Sequence, residues 1–210
     1  LFKDYKVIRQ KSTLKNALEQ IAKIIRNSET AENKEAYLRK KLLNAQTSKK
    51  KHKPKHDACK GFEKPKKGRF KEKRICHCMN YYMKNPTVCA KCSMDNKWKN
   101  VGKIQIVDFE VPTKYVYKNV GGMDLIFEDE KDKCKYAVEI KPPNSNETLA
   151  RMFAEILTYT VETDPDGNEY KPAICLFNTP DNTQMKQFLD LKQSGNKDLE
   201  YIMQKVKVFY

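Results

Sequence analysis

The chain has 210 residues and a formal net charge of +15, with 42 Lys and Arg against 27 Asp and Glu. No run approaches the ~18 apolar residues of a membrane span, and an odd count of seven cysteines argues against a fold held by disulfides alone. The length suits one full core with a small satellite module, a reducing, cytoplasmic compartment is expected, and the cation excess implies a polyanionic partner, nucleic acid before an anionic membrane.

The opening residues "LFKDYKVIRQ" lack the apolar run of a secretion signal. They also lack an initiator Met, which implies a short trimmed leader. Residues 12 to 26 form an amphipathic helix by pattern: Ser12 or Thr13 can cap it, and Leu14, Leu18, Ile21 and Ile25 recur at three- and four-residue steps. A second helix is expected from Glu29 to Ala45. A basic stretch follows, with thirteen Lys and Arg against three Asp and Glu between Lys49 and Arg74, and then a cysteine-rich segment over 75 to 92. From 101 the period becomes that of strands. "KIQIVDFE", "MDLIFE" and "KYAVEIK" predict three of them, the last two joined by a charged turn at 129 to 133 in an antiparallel hairpin. A capped helix over about 147 to 161, a buried strand "PAICLFN", a short helix "DNTQMKQFLDLKQ" and a last, edge strand in "YIMQKVKVFY" complete an α/β arrangement.

One constellation carries chemistry. In "GGMDLIFEDEKDKCKYAVEIK", Asp124 opens an apolar run and Glu139 and Lys141 occupy alternate positions of the next. Residues two apart on a strand share a face, so an acid and a lysine project together while Val138 and Ile140 point the other way. Asp124 on the partner strand comes within reach of the same ion, and the three are expected at one edge of the sheet. Phosphodiester hydrolysis with a divalent metal needs this combination: carboxylates to hold the ion, an activated water, and positive charge where the phosphoryl charge grows.

These residues resemble the PD-(D/E)XK nuclease superfamily over roughly residues 101 to 180, with the N-terminal helices as a first layer. The resemblance implies a mixed β-sheet flanked by helices, a restriction-endonuclease-like core. It maps the first acid to Asp124, the second to Glu139 and the lysine to Lys141, with Met123 where a proline is usual. It implies Mg²⁺ or Mn²⁺ held by Asp124, Glu139 and the Ile140 carbonyl, and hydrolysis leaving a 5′-phosphate. A further glutamate from an N-terminal helix is expected, Glu19 first and Glu35 second. Glu155 and Tyr159, four apart on the following helix, occupy the positions where recombination-type relatives carry a Gln and a Tyr.

The cysteines of "CHCMNYYMKNPTVCAKC" are spaced C-x-C, ten residues, C-x-x-C. Cys76, Cys78, Cys89 and Cys92 can thus close a tetrahedral S₄ site, and a small module without its own core can fold around such an ion. Structural zinc is expected, with an iron–sulfur cluster or unliganded thiols as alternatives and His77 as a substitute for Cys78. His52, His56 and Cys59 are either part of a second metal site or polar residues of a basic loop. Cys134 and Cys175 read as buried free thiols. Tyr81, Tyr82 and Trp98, with Lys84, Lys91, Lys97 and Lys99, suit nucleic-acid contact and a zinc-module core about equally.

The chain therefore divides into N-terminal helices of the core at 1–48, a basic, cysteine-rich metal-binding insertion at 49–100, and the α/β nuclease core at 101–210. The expected activity is metal-dependent hydrolysis of DNA, as an endonuclease, with RNA as the alternative substrate and a homodimer as an alternative assembly. A non-catalytic, zinc-dependent nucleic-acid-binding protein is the rival reading.

Overall fold

The structure, a computed structural model, describes residues 13–29, 71–84, 104–112, 122–131, 133–142, 145–164, 167–177 and 182–210. All but the first residue of the helix expected from Glu29 to Ala45, with the candidate acid Glu35, the basic residues 49–70, the candidate ligands His52, His56, Cys59, Cys89 and Cys92, and Trp98 lie outside the described residues.

Helix α1, Leu14–Glu29, buries Ala17, Leu18, Ile21 and Ala22, the stripe that its sequence spacing sets up. Helix α2, Lys71–Lys84, follows the basic run. Strands β1, Ile104–Pro112, β2, Gly122–Asp129, and β3, Lys135–Ile140, form an antiparallel meander. Helix α3, Leu149–Thr163, is N-capped by Thr148, whose side chain accepts from the Arg151 N–H. It returns the chain so that β4, Tyr170–Cys175, pairs parallel with β3. Helices α4, Thr183–Gln193, and α5, Lys197–Met203, make a second crossover to β5, Lys207–Phe209, parallel with β4. The result is a five-stranded mixed sheet in the order β1-β2-β3-β4-β5.

Both faces of the sheet are covered. Leu18, Ile21, Phe153, Ile156, Phe188 and Ile202 from α1, α3, α4 and α5 pack on Ile126, Ala137 and Ile174. On the other face Ile75, Cys76, Cys78 and Met79 of α2 join Leu125, Phe127, Val138, Ile140 and Cys175. Each large apolar side chain fully buried this way contributes about 1.5–3 kcal/mol. Strand β3 is therefore buried on both sides from Tyr136 to Ile140, and Glu139 on it sits in the interior.

Two expectations change. The hairpin does not lie at a sheet edge: β1 pairs outside β2 and β4 pairs outside β3, so the acids stand at the end of inner strands. Tyr201–Met203 belong to α5 rather than to the last strand. Asn196 accepts from the Leu199 N–H to start that helix, and Leu199 and Ile202 bury at a helical step, which leaves only Lys207–Phe209 to pair with β4.

Candidate metal centre

The register of the hairpin builds the site. Leu125 pairs with Val138, and one step outward the antiparallel geometry sets Asp124 opposite Glu139. Cross-strand neighbours of this kind have Cβ atoms ~5 Å apart. Asp124 Oδ2 accepts from the Ile140 N–H at 2.9 Å, which fixes the first carboxylate against the strand that carries the second. Gly122, two residues earlier, is needed for close approach. A Cβ there would collide with the Val111 carbonyl oxygen, so a side chain would push β2 from β1 just before Asp124.

Helix α2 brings a third acid. Glu72, in its first turn, places a carboxylate oxygen within 4.8 Å of one from Asp124 and one from Glu139. The buried end of the hairpin thus holds an acidic triad, Glu72, Asp124 and Glu139, able to coordinate a divalent ion on a mixed α/β fold. Glu139 is 2% exposed, and its Oε2 is buried with no hydrogen-bond donor. A carboxylate oxygen left so is a ligand atom without a partner, and the oxygen-only donor set suits a hard cation such as Mg²⁺ or Mn²⁺.

Lys141 lies beside the triad, 5% exposed. Its Nζ is 2.5 Å from Glu139, 3.2 Å from Glu72, 3.2 Å from Glu155 and 3.4 Å from Glu147. Burial alone would lower its pKa, but Glu139, Glu155, Asp124 and Glu72 raise it well above the ordinary lysine value, so it stands as a cation. The acids respond in the opposite sense. Burial and then Glu72 push the Asp124 carboxyl well up, with Lys141 opposing. Burial and then Asp124 do the same to Glu139, again against Lys141. Burial also raises Glu72, against Lys141. Glu155 differs: burial would raise it, yet Lys141 and the hydrogen bonds around it, including that from Arg151, hold it below the usual carboxylate value. Among the described residues, five carboxyls, Glu72, Asp124, Glu139, Glu147 and Glu155, meet two cations, Lys141 and Arg151, so ionising all five would leave an excess of negative charge that a divalent cation would offset.

Of the residues singled out in the sequence, Asp124, Glu139 and Lys141 come together, and Ile140 contributes its N–H to Asp124. Glu155 reaches Lys141 from α3, and Tyr159, one turn on, is buried. Glu19 does not join them: it is exposed on α1, a helix that packs on α5 and α3, while the third acid comes from α2. Glu72 escapes sequence reasoning because it sits among Lys71, Lys73 and Arg74 at the end of the basic run. Its signal is the helical step Glu72, Ile75, Cys76, Met79. That helix also bears on the thiols. Cys76 and Cys78 are both buried, and residues two apart on a helix point about 200° apart, so they do not form a chelating pair. No cysteine cluster that would close a metal-binding insertion occurs among the described residues. Cys175 is buried as expected, its thiol pushed up to about 12 by burial, while Cys134 is half-buried.

No family model matches the chain, and no curated protein or solved structure matches it either. Among the described residues no helix is long and apolar enough to cross a membrane.

Proposed function

We propose that this protein is a Mg²⁺- or Mn²⁺-dependent nuclease of PD-(D/E)XK type that hydrolyses phosphodiester bonds in DNA, as an endonuclease. The observation that carries the reading is the register that sets Asp124 opposite Glu139, with Lys141 sharing the Glu139 face and Glu72 closing the triad. Asp124, Glu139, Glu72 and the Ile140 carbonyl would hold the ion. A divalent ion in such a site supplies Lewis-acid polarisation of a phosphoryl oxygen and a nucleophile at neutral pH. Asp124 is oriented by the Ile140 N–H. Lys141 keeps a fixed positive charge beside Glu139, where it offsets charge growing on phosphoryl oxygens. The sheet and α3 exclude water from one side of the cluster, which strengthens each of these interactions.

Glu72 also joins the site to its partner. It lies near the end of the run of thirteen cations at 49 to 74, so a polyanion held by those cations would be bound by the segment that carries the third acid. Neutralising Lys49, Lys50, Lys66 and Lys67 should weaken binding to all DNA sequences alike and reduce the log–log salt slope by about 0.9 for each phosphate no longer neutralised.

Cleavage of linear, circular, single-stranded and branched DNA, and of RNA, with Mg²⁺ and with Mn²⁺ tests the activity, and Glu139→Ala is the control. A metal-dependent cut that Glu139→Ala abolishes, with DNA binding kept, supports the reading. No cut leaves the non-catalytic binding protein in its place, and an equal cut by the variant overturns the assignment of the chemistry to Glu139. Structural zinc on Cys76, Cys78, Cys89 and Cys92 is a separate proposal from their spacing, and it requires helix α2 to open between Cys76 and Cys78. Elemental analysis of protein purified without added metal should then give one zinc per chain, absent in Cys89→Ser.

A further inference from the structure

Helix α3 carries charges that the triad does not use. Glu147, Arg151, Glu155 and Tyr159 follow at four-residue steps and so form one stripe across the helix start and along it. Arg151 Nη2 is 2.7 Å from Glu155 Oε1, and Arg151 Nε is 3.2 Å from Glu147 Oε2. The same two carboxylates reach Lys141 Nζ, Glu155 Oε2 at 3.2 Å and Glu147 Oε2 at 3.4 Å. Lys141, Glu155, Arg151 and Glu147 close a ring of alternating charge. Its inner member is buried, and Arg151, with 28% of its side chain exposed, is on the rim.

The ring is anchored from behind. Gln184, 1% exposed, donates Nε2 to the carbonyl oxygens of Ser145 and Glu147. Gln187 Oε1 accepts from the Leu149 N–H at 2.9 Å. Helix α4 thus fixes the backbone from which Glu147 projects. A lysine ends in a compact charge on a flexible four-carbon stem, so its position depends on what surrounds the ammonium. Two of its partners, Glu139 and Glu72, are the carboxylates that would turn to a cation. The other two are Glu155 and Glu147, and Arg151 holds both.

We propose that Arg151 and Glu147 are positioning residues for Lys141: through the ring they keep its ammonium at the triad while Glu139 and Glu72 engage a metal ion. The effect on rate rests on the nuclease reading, whereas the effect on Lys141 itself does not.

The test uses the full chain with Arg151→Ala, Arg151→Lys and Glu147→Gln, checked for fold by thermal melting. Two readouts are taken. One is steady-state cleavage together with duplex binding in Ca²⁺ over a range of salt. The other is the ¹⁵N ammonium signal of Lys141, identified by its disappearance in Lys141→Arg. Arg151→Ala should lower kcat by roughly 10–100-fold, the range for residues that orient a working group, with KM, duplex affinity and salt slope unchanged. The Lys141 signal should broaden or disappear in Arg151→Ala and Glu147→Gln, and Arg151→Lys should restore both readouts in part. If the signal stays sharp in folded Arg151→Ala and Glu147→Gln, the ring does not position Lys141. If affinity falls and the salt slope drops by about 0.9 with kcat intact, Arg151 binds phosphate and the proposal is overturned. A wild-type protein that cuts nothing, while its Lys141 signal still depends on Arg151, removes the nuclease reading and keeps the ring.

Discussion

The β2–β3 hairpin carries acids at both ends, and the two ends behave differently. At the turn, Glu130 and Lys131 are exposed, Asp129 Oδ1 accepts the Lys131 N–H at 2.9 Å, and Gln105 Nε2 donates to Glu130 at 2.8 Å. Those hydrogen bonds close a turn in water. At the open end Asp124 and Glu139 face each other between helices α2 and α3, their carboxyls pushed up by burial and by neighbouring acids. The residue types are the same, so acidity alone does not make a site. What distinguishes the open end is that α2 and α3 remove water from one end of the hairpin and each add a glutamate. Burying charge is costly unless it is paired, and among the described residues the carboxyls here outnumber their cations. A site of that kind is better explained by what it binds than by stability.

The largest expected effect removes the shared cation. In metal-free buffer Lys141→Met should cost about 3–5 kcal/mol, the usual result of leaving buried partners uncompensated. Lys131→Met at the turn should stay within about 0.5 kcal/mol. Urea melts of both variants measure the difference, and equal midpoints would mean that the open end needs no cation. Next comes chemistry. Asp124→Ala and Glu139→Ala should each lower the cleavage rate by about 10²–10³, the scale for removing one electrostatic stabiliser of a transition state, while Asp129→Ala leaves the rate unaltered. A turn variant as impaired as Glu139→Ala would erase the contrast between the two ends.

Much of this contrast is legible in the chain. The alternation of Glu139 and Lys141 on a strand, the short charged turn and the position of Asp124 give the hairpin and its register, because period and turn length leave little freedom. Gly122 is visible as a glycine, though its close approach to Val111 is a tertiary fact. Glu72 is not, because a single acid inside a basic run reads as part of a solvated loop. The helix that carries it also contains a C-x-C spacing, which invites a metal reading that a helical period does not support. Glu19 fails for the opposite reason. It lies on a well-formed amphipathic helix, but on its exposed side, and helix α1 packs away from the triad. Local pattern shows which face of an element is buried; it does not show over which end of the sheet that element lies.

Metal binding should separate the two ends again, by a smaller amount. Mg²⁺ or Mn²⁺ at a hundred times its dissociation constant should stabilise the folded protein by about 2.7 kcal/mol, read as a rise in melting temperature relative to protein in EDTA. Asp129→Ala should keep that rise, and Glu139→Gln should lose it. A rise preserved in Glu139→Gln would move the ion away from the triad, towards exposed acids such as those at the turn.

The smallest effect concerns the metal-free state and depends on pH. The Glu139 carboxyl has a folded pKa well above its ordinary value of 4.5. A carboxyl raised in this way favours the folded state while protonated, and that advantage is lost as pH rises from about 4.5 through the folded pKa. Above that window the ionised group opposes folding, against the attraction of Lys141. Glu139→Gln keeps the shape and removes the ionisation. In EDTA the variant should therefore be more stable than wild type near neutral pH, and the gap should close as pH falls towards 4.5. With Mg²⁺ present the order should reverse, because only the wild type gains an ion. Melting curves across pH, with and without metal, measure both differences. A variant less stable than wild type at neutral pH in EDTA would show that the attraction of Lys141 outweighs the burial of Glu139, and that the open end of the hairpin is held together by its own salt bridges.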